Sequence, residues 1–400
     1  MTKRNILYFS NWSASEGITR STVFPILRKL SEHPEIGQVF LVTAEQGPPL
    51  PTGFIPGVEH YTLRASGTSG FAKMIGLFRL SSRLARLAKE KKADVIWCRG
   101  ATAAGYGAIA HRLSGIPLVV DSFEPHAQYM AETGTWRRAG LKYIVQRMLE
   151  KSVRKRALAL LPVSEAYRHL MLSERVQPSG VFVFPCVVDA DKFAFNEADR
   201  RAIRRKLGIA ATDVVGIYTG KFGGLYYQEE AFRIFRAAFD YWKNRFHLII
   251  LTGEDYHKVL AWARKAGIPL GYLTVAHVDH DEVPKYLSAA DLAFSTNKSV
   301  PALQYLSPIK YGEYWAAGLP MITTLLEGDD ARIIREESGG YLLDVTATGS
   351  EPADEVFARV DREIRKGRSD HYVSLARKYR NFSLIDEAIA FVLDRLSRNE

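Results

Sequence analysis

The chain has 400 residues, which exceeds what one hydrophobic core usually supports, so its length predicts two domains. Its 47% hydrophobic and 24% charged residues are typical of a globular protein, and no segment approaches the ~18 apolar residues that span a bilayer. The N-terminus becomes polar too soon for a secretory signal, so we expect a cytoplasmic chain. The formal net charge of +10 favours anionic partners.

Short apolar runs rich in β-branched and aromatic residues alternate with helical patterns, which predicts parallel sheets covered by helices on both faces. The predicted strands of a first series span residues 5–10, 39–43, 94–98, 117–121, 159–162 and 181–184. Those of a second series span residues 214–219, 247–252, 273–276, 292–295, 321–324 and 341–343. Helices are predicted between them, including 22–31, 72–91, 140–156, 229–242 and 255–265.

The two series favour two doubly wound α/β domains over a single barrel, because an eight-fold barrel needs about eight βα units in about 250 residues. We predict an N-terminal Rossmann-like domain over residues 1–178 and a C-terminal one over residues 179–378, with a linker around Gln177–Gly180. Residues 379–400 are predicted to form a helix that crosses back to the N-terminal domain. Its expected apolar side consists of Ile385, Ala388, Ile389, Val392 and Leu396.

Several motifs of common enzyme classes are absent from the sequence. It has no G-x-G-x-x-G after the first strand, no P-loop and no G-x-S-x-G, which argues against dehydrogenases, P-loop NTPases and serine hydrolases. No His/Cys cluster has zinc spacing. Cys98 and Cys186 lie in apolar runs, which fits free thiols or a single disulfide. Of the two D-x-D tripeptides, Asp189–Asp191 lies in a turn and Asp279–Asp281 suits a helix start, so no metal is expected.

The segment from Ser307 to Pro320 is predicted to form a loop, a short helix, a glycine stop and a buried strand. Ser307 can cap this helix, with Pro308 in its first turn. Lys310 and Glu313 are three residues apart and share one helix face. A lysine at a helix N-terminus suits an anion, and a carboxylate one turn on suits ribose hydroxyls. The alternative is an ordinary surface Lys–Glu pair.

This segment, together with Asp281–Leu292 before it, resembles the donor domain of GT-B glycosyltransferases of the glycogen-synthase-like retaining group (family 4 type). Further similar pieces are Pro162–Glu165, Val187–Phe193 and Tyr218–Phe222. The resemblance covers most of the chain and is weaker before His126. It implies two Rossmann-like domains that face each other across a cleft, with the acceptor on the N-terminal and the donor on the C-terminal domain.

The resemblance also implies a function and roles for single residues. The expected activity is transfer of a sugar from a nucleotide-diphosphate sugar to an acceptor such as a lipid-linked or cell-surface glycan precursor, with retention and without a metal. His126 is expected near the transferred sugar, and Lys221 and Lys310 at the developing diphosphate charge. The implied donor-binding residues are Gly17, Gly220, Lys221, Ser307, Lys310 and Glu313, and the acceptor-side residues are Glu124, Arg137 and Arg138.

Three positions depart from the family pattern: Lys221 replaces an arginine, Tyr226 replaces a lysine and Tyr305 replaces a glutamate that contacts the sugar in relatives. Two alternatives therefore stay open. One is a GT-B nucleotide-sugar epimerase, for which Asp121, Glu124 or Glu165 could serve as the proton-abstracting carboxylate. The other is a non-catalytic GT-B scaffold that binds nucleotide or lipid. No nucleic-acid partner is expected, since no recognised module is present.

Two basic runs fall in the N-terminal half of the chain. Residues 136–157 contain eight lysines and arginines against Glu150, and residues 74–93 contain six against Glu90. The first run also has apolar residues at helical spacing, namely Leu141, Ile144, Val145, Met148, Leu149 and Val153. Such a helix can lie on the anionic inner face of a membrane as a peripheral anchor. Alternatively, its apolar stripe faces the core and its basic face is solvated.

Overall fold

The computed structural model describes residues 3–45, 55–64, 70–177, 180–345 and 353–399, with the backbone alone for 70–74. The chain divides into two compact units. The first unit comprises Met1–Ala131, Trp136–Pro185 and Ser383–Glu400. The second unit comprises Glu132–Thr135 and Cys186–Phe382.

A six-stranded parallel sheet forms the centre of the first unit, in the order β3-β2-β1-β4-β5-β6. Its strands are β1 Arg4–Ser10, β2 Ile36–Glu45, β3 Val58–Arg64, β4 Val95–Arg99, β5 Leu118–Phe123 and β6 Ala159–Pro162. Its helices are α1 Gly17–Thr22, α2 Phe24–Glu32, α3 Gly70–Glu90, α4 Gly100–Ser114, α5 His126–Glu132, α6 Leu141–Arg156, α7 Glu165–Ser173 and, from the end of the chain, α16 Ser383–Ser397.

The second unit repeats this architecture, with its six parallel strands in the order β12-β11-β10-β7-β8-β9. Its strands are β7 Val214–Thr219, β8 Phe246–Leu251, β9 Leu273–Ala276, β10 Leu292–Ser295, β11 Met321–Thr323 and β12 Tyr341–Leu342. Its helices are α8 Glu197–Leu207, α9 Glu229–Trp242, α10 Tyr256–Lys265, α11 Val283–Ala289, α12 Ile309–Ala316, α13 Asp329–Glu336, α14 Ala353–Ile364 and α15 Asp370–Tyr379. Two doubly wound Rossmann-like units confirm the predicted fold class.

The strand order explains why the central strands are so apolar. Every residue of β4 and β7 is buried, because helices cover both faces of a parallel sheet. In both sheets the order reverses at one point, between β1 and β4 and between β7 and β10. At such a point the adjacent loops at the carboxyl ends of the strands run in opposite directions and leave a crevice for a ligand.

Two sequence-based strand predictions differ from the structure. Residues 181–184 form no strand; Val181 makes a single bridge to Leu160, and this extended segment stays hydrogen-bonded to β6. The first unit therefore continues to Pro185, past the boundary predicted at residue 178. The strand β3 was not predicted, because as an edge strand it exposes alternate residues and has no fully buried one. Part of the predicted linker, residues 178 and 179, lies outside the described residues.

Helix α16 is grouped with the first unit, after the chain has built nearly all of the second. Its buried side contains the five apolar residues expected from the sequence, together with Leu393. Phe391 stacks on Phe182 with ring centroids 5.3 Å apart, and Asp386 pairs with Lys29 of α2 at 2.9 Å. Among the described residues, no helix has both the length and the apolar character needed to cross a bilayer.

A glycine in the middle of β7 provides a test of packing in the second unit. A Cβ at Gly216 would lie 2.7 Å from both Phe246 and Phe294, whose rings come from the two neighbouring strands. Overpacking of this kind costs about 1–3 kcal/mol, so we expect Gly216→Ala to lower the unfolding free energy by that amount in urea titrations. The matched control is Gly271→Ala, where a Cβ meets no atom within 4 Å. Equal stability of the two variants would contradict this view of the core.

Candidate functional site

In the second unit, the end of β7 lies against the start of α12. Gly220 follows β7 with a φ of +128°, a backbone conformation that disfavours any other residue. A Cβ at this position would be 2.9 Å from the Nζ of Lys310, in the first turn of α12. The structure thus brings Gly220 and Lys310 together at the reversal point of the sheet, as their predicted common role requires.

Lys310 is buried and its ammonium has no hydrogen-bond partner in the described part of the protein. The Nζ lies 4.2 Å from the ring centroid of Tyr226 and 4.9 Å from that of Tyr218. Burial lowers the pKa of Lys310 to about 7, although the charge of Glu313 acts in the opposite direction. Aromatic faces stabilise a cation only weakly compared with an anion, so this site is a cationic centre that lacks a counter-ion.

Glu313 is also buried, one turn further along the same helix. Its carboxylate accepts a hydrogen bond of 2.8 Å from Nε2 of His280 instead of pairing with Lys310. His280 itself packs against Phe193, with ring centroids 5.5 Å apart. The burial of Lys310 and Glu313 excludes the alternative of a surface Lys–Glu pair, and the carboxylate keeps a second oxygen available to a ligand.

The loop after Gly220 is held in place by a neighbouring segment. Residues 221–228 include Gly223 and Gly224, which both have positive φ and turn the chain back on itself. The returning strand of this loop pairs with residues 296–298 through a bridge between Tyr226 and Asn297. Tyr226 is thereby fixed beside Lys310.

A tyrosine connects the two sides of this site. The hydroxyl of Tyr314, on α12, accepts the backbone N–H of Thr219 at 3.1 Å and is 2.8 Å from the Thr219 hydroxyl. It thereby ties the last residue of β7 to the helix that carries Lys310. Lys221, which follows Gly220, has an exposed side chain, so the structure separates it from the buried Lys310.

Ser307 does not cap α12, which corrects the prediction from the sequence. The residue before the helix is Pro308, and no side chain caps its first turn. The Ser307 hydroxyl instead accepts hydrogen bonds from the backbone N–H of Cys186 and from the buried guanidinium of Arg380. Arg380 also pairs with the buried carboxylate of Asp330. The hydrogen bonds of Ser307 therefore stabilise the loop before α12.

In the first unit, a chain of hydrogen bonds joins two of the predicted residues. The hydroxyl of Tyr129 donates to the carboxylate of Glu124 at 2.7 Å and is hydrogen-bonded to Nδ1 of His126. The His126 ring also packs edge-on against Trp136, with centroids 5.3 Å apart. Its Nε2 bonds to none of the described residues, which leaves this nitrogen able to contact a ligand.

The backbone around His126 is fixed from two directions. Ser122, at the end of β5, has a φ of +48°, and the pairing of β5 with β6 shifts register there. Strained residues of this kind are often found beside functional sites. From the other side, the buried Glu150 of α6 accepts the backbone N–H of Ala127 at 2.9 Å. Burial raises the pKa of Glu150, and the hydrogen bond from Ala127 opposes that shift.

Asp121 is fully buried, and hydrogen-bond donors surround its carboxylate. Its carboxylate accepts hydrogen bonds from Tyr8 at 2.6 Å, Trp97 at 2.8 Å and Arg99 at 3.0 Å. Because this carboxylate is enclosed in the protein and its oxygens already accept three hydrogen bonds, it is not placed to reach a proton of a substrate. This geometry argues against Asp121 as the base of an epimerase.

The remaining predicted residues of the first unit lie at the start of α1 and in the turn before α6. Gly17 is the first residue of α1, and a Cβ there would meet no atom within 4 Å, so packing does not require a glycine. Glu45 holds the preceding loop through the backbone N–H of Ala14 at 3.0 Å. Arg137 and Arg138 are exposed in the turn before α6. No cluster of His, Cys, Asp and Glu able to hold a metal occurs among the residues described.

Comparison with known proteins shows that this chain is similar to glycosyltransferases. Residues 35–186 match the glycosyl transferase 4-like domain. A galactosyltransferase from Escherichia coli, named UDP-Gal:alpha-D-GlcNAc-diphosphoundecaprenol alpha-1,3-galactosyltransferase, is 24% identical over 269 residues. That match spans 66% of this chain and 65% of the galactosyltransferase.

Solved structures extend the likeness over the whole chain. Sucrose-phosphate synthase from Thermosynechococcus elongatus aligns with a TM-score of 0.77 at 15% identity and covers 100% of both chains. HepE from Anabaena, solved in complex with UDP-glucose, aligns with a TM-score of 0.71 at 15% identity and covers 98% of this chain and 99% of its own. The chain has the fold of GT-B glycosyltransferases, and its residues 35–186 match a glycosyltransferase domain. The resemblance drawn from its motifs is therefore confirmed.

Three residues of this protein were not foreseen as site residues. His280 lies inside a D-x-D tripeptide that was considered only for its carboxylates, and Tyr129 is one of many tyrosines. Arg380 is distant in sequence from the loop that it supports. The roles of His280 and Arg380 depend on contacts between segments far apart in the chain, whereas Tyr129 contacts Glu124 and His126 close by in sequence.

The lowered pKa of Lys310 predicts how the stability of the protein depends on pH. Burial lowers it to about 7, whereas an unfolded lysine titrates near ~10.4. Between these values the unfolded chain binds more protons, so the contribution of Lys310 to stability rises with pH. We expect Lys310→Met to be more stable than the wild type near pH 6.5, because it avoids burying the charge.

The stability advantage of Lys310→Met over the wild type should shrink by at most about 1.4 kcal/mol per pH unit between pH 7 and pH 9. Urea denaturation of both proteins across this range measures it, and taking the difference between them cancels the titration of all other groups. A stability difference that does not change with pH would show that Lys310 titrates normally in the folded protein.

Proposed function

We propose that this glycosyltransferase moves a sugar from a UDP-sugar to a lipid-linked or cell-surface glycan precursor, with retention of configuration. Two findings support the choice of substrates. The name of the E. coli relative specifies UDP-galactose and a diphospho-lipid acceptor, and HepE was solved with UDP-glucose. The second unit would bind the donor and the first unit the acceptor, on the cytoplasmic side of a membrane.

The observation that carries this proposal is the buried ammonium of Lys310. It has no hydrogen-bond partner among the described residues, lies beside a glycine at the end of β7 and is in the first turn of a helix. A donor diphosphate would supply the missing anion, since a helix N-terminus and a lysine both favour phosphate. As the bond to the sugar breaks, negative charge builds on the leaving diphosphate, and a fixed cation in a site shielded from water stabilises that charge strongly.

Each of the other donor residues has a proposed part in this step. Gly220 lets the phosphates approach the backbone, and the exposed Lys221 adds a second cation. Glu313 accepts hydrogen bonds from the ribose hydroxyls, while His280 fixes its orientation. Gly17 leaves space for the donor on the loop after β1, and Ser307 maintains the loop before α12. In this proposal the lysines neutralise the diphosphate, and no metal is required.

In the first unit, we propose that His126 contacts the sugar being transferred through Nε2. Glu124 and Tyr129 hold its other nitrogen and thereby fix the orientation of the ring. Arg137 and Arg138 are exposed near the start of α6 and suit an acidic acceptor. In retaining transfer, the leaving diphosphate would itself take the proton from the acceptor hydroxyl.

The two alternatives make different predictions. An epimerase would interconvert free nucleotide sugars, and the saturation of Asp121 removes one of its candidate bases. A non-catalytic scaffold would bind UDP without hydrolysing or transferring the sugar. Incubation with radiolabelled UDP-sugars, with and without lipid-linked acceptors, separates all three. Transfer to lipid or slow hydrolysis supports the transferase, epimerised donor supports the epimerase, and unchanged donor supports the scaffold.

We expect Lys310→Met to weaken UDP binding at least tenfold and to leave uridine binding unchanged. The lost contact is a charge-assisted hydrogen bond to phosphate, which is worth about 1.5–3 kcal/mol. Isothermal titration calorimetry at pH 6.5, where the lysine is mostly protonated, measures both affinities. The control is Lys258→Met, at an exposed position on α10 of the same unit. Equal weakening of UDP and uridine would place Lys310 outside the phosphate site.

We expect His126→Ala to lower kcat at least tenfold while UDP affinity stays within twofold of the wild type. The reason is that His126 is proposed to contact the sugar and not the nucleotide. Turnover of the donor and calorimetry with UDP measure the two effects. Tyr129→Phe, which removes only the hydrogen bond that orients His126, should lower kcat by a smaller factor. Wild-type turnover in a folded His126→Ala protein would remove His126 from the site.

A further inference from the structure

A cavity of about 350 Å³ lies in the first unit, at the edge of the sheet opposite to His126. Helices α4 and α6 each precede the amino end of a strand, so both helices end at the amino edge of this parallel sheet. Leu118, the first residue of β5, lines the cavity, whereas the other end of β5 leads to His126. The length of β5 separates the two places by about 16 Å. The cavity is therefore distinct from the candidate site.

The lining of this cavity is basic. Arg154, Lys155 and Arg156 come from the last turn of α6, and Arg395 comes from the last turn of α16. His111 comes from the last turn of α4. None of the described residues that line the cavity is acidic. Four positively charged side chains thus surround a space of the size that small molecules occupy in proteins.

The helix ends explain why basic residues are present here, but they leave one donor without a partner. The carboxyl end of a helix carries partial negative charge, which lysine and arginine stabilise. Arg156 donates to the hydroxyl of Ser152 at 2.7 Å, and Arg154 pairs with Glu174. The Nε of Arg395, in contrast, is buried and has no hydrogen-bond partner among the described residues. Such a nitrogen needs an acceptor from outside the protein.

The groups around Arg395 favour an anion as that acceptor. A guanidinium has five N–H donors, so Arg154 and Arg156 keep further donors beyond the bonds that they already form. Their planar forks match the oxygens of a phosphate. His111 donates from Nδ1 to the carbonyl of Ile116 at 2.8 Å, which leaves its Nε2 available to a ligand.

The rest of the lining indicates a ligand that is soluble in water. Gln177 and Asn399 are exposed and can bond to the polar part of a phosphorylated molecule. None of the large hydrophobic side chains that are exposed in the described part of the chain lines the cavity. The cavity therefore offers no apolar surface for the acyl chain of a lipid.

We propose that this cavity, the anion pocket, binds a small, water-soluble phosphorylated compound. Its phosphate oxygens accept hydrogen bonds from Arg395 on α16 and from Arg156 on α6. Helix α16 joins the first unit only after the chain has built nearly all of the second. A ligand bound between the ends of α4, α6 and α16 holds this last helix in place and stabilises the first unit, because it binds the folded state alone.

Isothermal titration calorimetry with inorganic pyrophosphate tests the pocket, at physiological ionic strength and with excess UDP to occupy the donor site. We expect saturable binding to the wild type. Arg395→Met and Arg156→Met should each weaken it at least tenfold, because each loses charge-assisted hydrogen bonds. The matched controls are Arg398→Met, exposed on α16 and paired with Asp394 at 2.9 Å, and Lys151→Met, exposed on α6. Both controls should stay within twofold of the wild type.

Hydrogen exchange with and without pyrophosphate measures the effect on α16. We expect the ligand to slow exchange of the backbone amides of α16 in the wild type and not in Arg395→Met, because it opposes local opening of the helix. Unchanged exchange despite binding would overturn the role of the ligand in holding α16.

Three calorimetric results would overturn the pocket itself. These are the absence of saturable binding, an equal loss of affinity in the controls, and loss of pyrophosphate binding in Lys310→Met. The second would show general attraction by surface charge, and the third would place the anion in the donor site. Pyrophosphate binding that persists in Lys310→Met, in a protein that fails to bind UDP, would contradict the proposed function and leave the anion pocket intact.

Discussion

The candidate site depends on a buried ammonium, that of Lys310, to which none of the described residues is hydrogen-bonded. Burial of this group is unfavourable, and the faces of Tyr218 and Tyr226 and the charge of Glu313 compensate it only in part. The surrounding structure holds Lys310 in this position: Tyr314 fixes the end of β7, and Arg380 fixes the loop before α12 through Ser307. A protein that keeps such a cation in a preformed, shielded position is prepared to bind an anion with little rearrangement.

Much of the fold and part of the candidate site could be predicted from the sequence. Parallel strands buried on both faces consist of continuous apolar runs, so β4 and β7 are visible in the sequence, whereas the half-exposed β3 is not. The Lys310–Glu313 pair was predictable because three-residue spacing on a helix fixes a common face. Its burial was not predictable, since that depends on the loop around Tyr226. His280 escaped notice because its partner Glu313 comes from another segment of the chain. Tyr129 lies next to its partners Glu124 and His126 but belongs to no motif that singles it out.

Helix α6 shows the limit of arguments from periodicity. Its apolar residues recur at helical spacing, which predicts an amphipathic helix but cannot say which side faces the protein. Here the small residues of α4, together with the hydrogen bonds of Gln146 and Glu150, decide the rotation of the helix. A polar side chain that finds its partners inside can outcompete a leucine or methionine for a buried position, provided that every donor is satisfied.

The return of α16 to the first unit has a consequence for synthesis on the ribosome. The chain leaves this unit at Pro185 and rejoins it only at Ser383, so the surface of α2 and β6 that α16 covers stays open until α16 has been synthesised. Each large apolar side chain of α16 that becomes buried contributes about 1.5–3 kcal/mol. The first unit therefore remains incomplete while the second is being made, and loss of α16 would affect the domain that is made first.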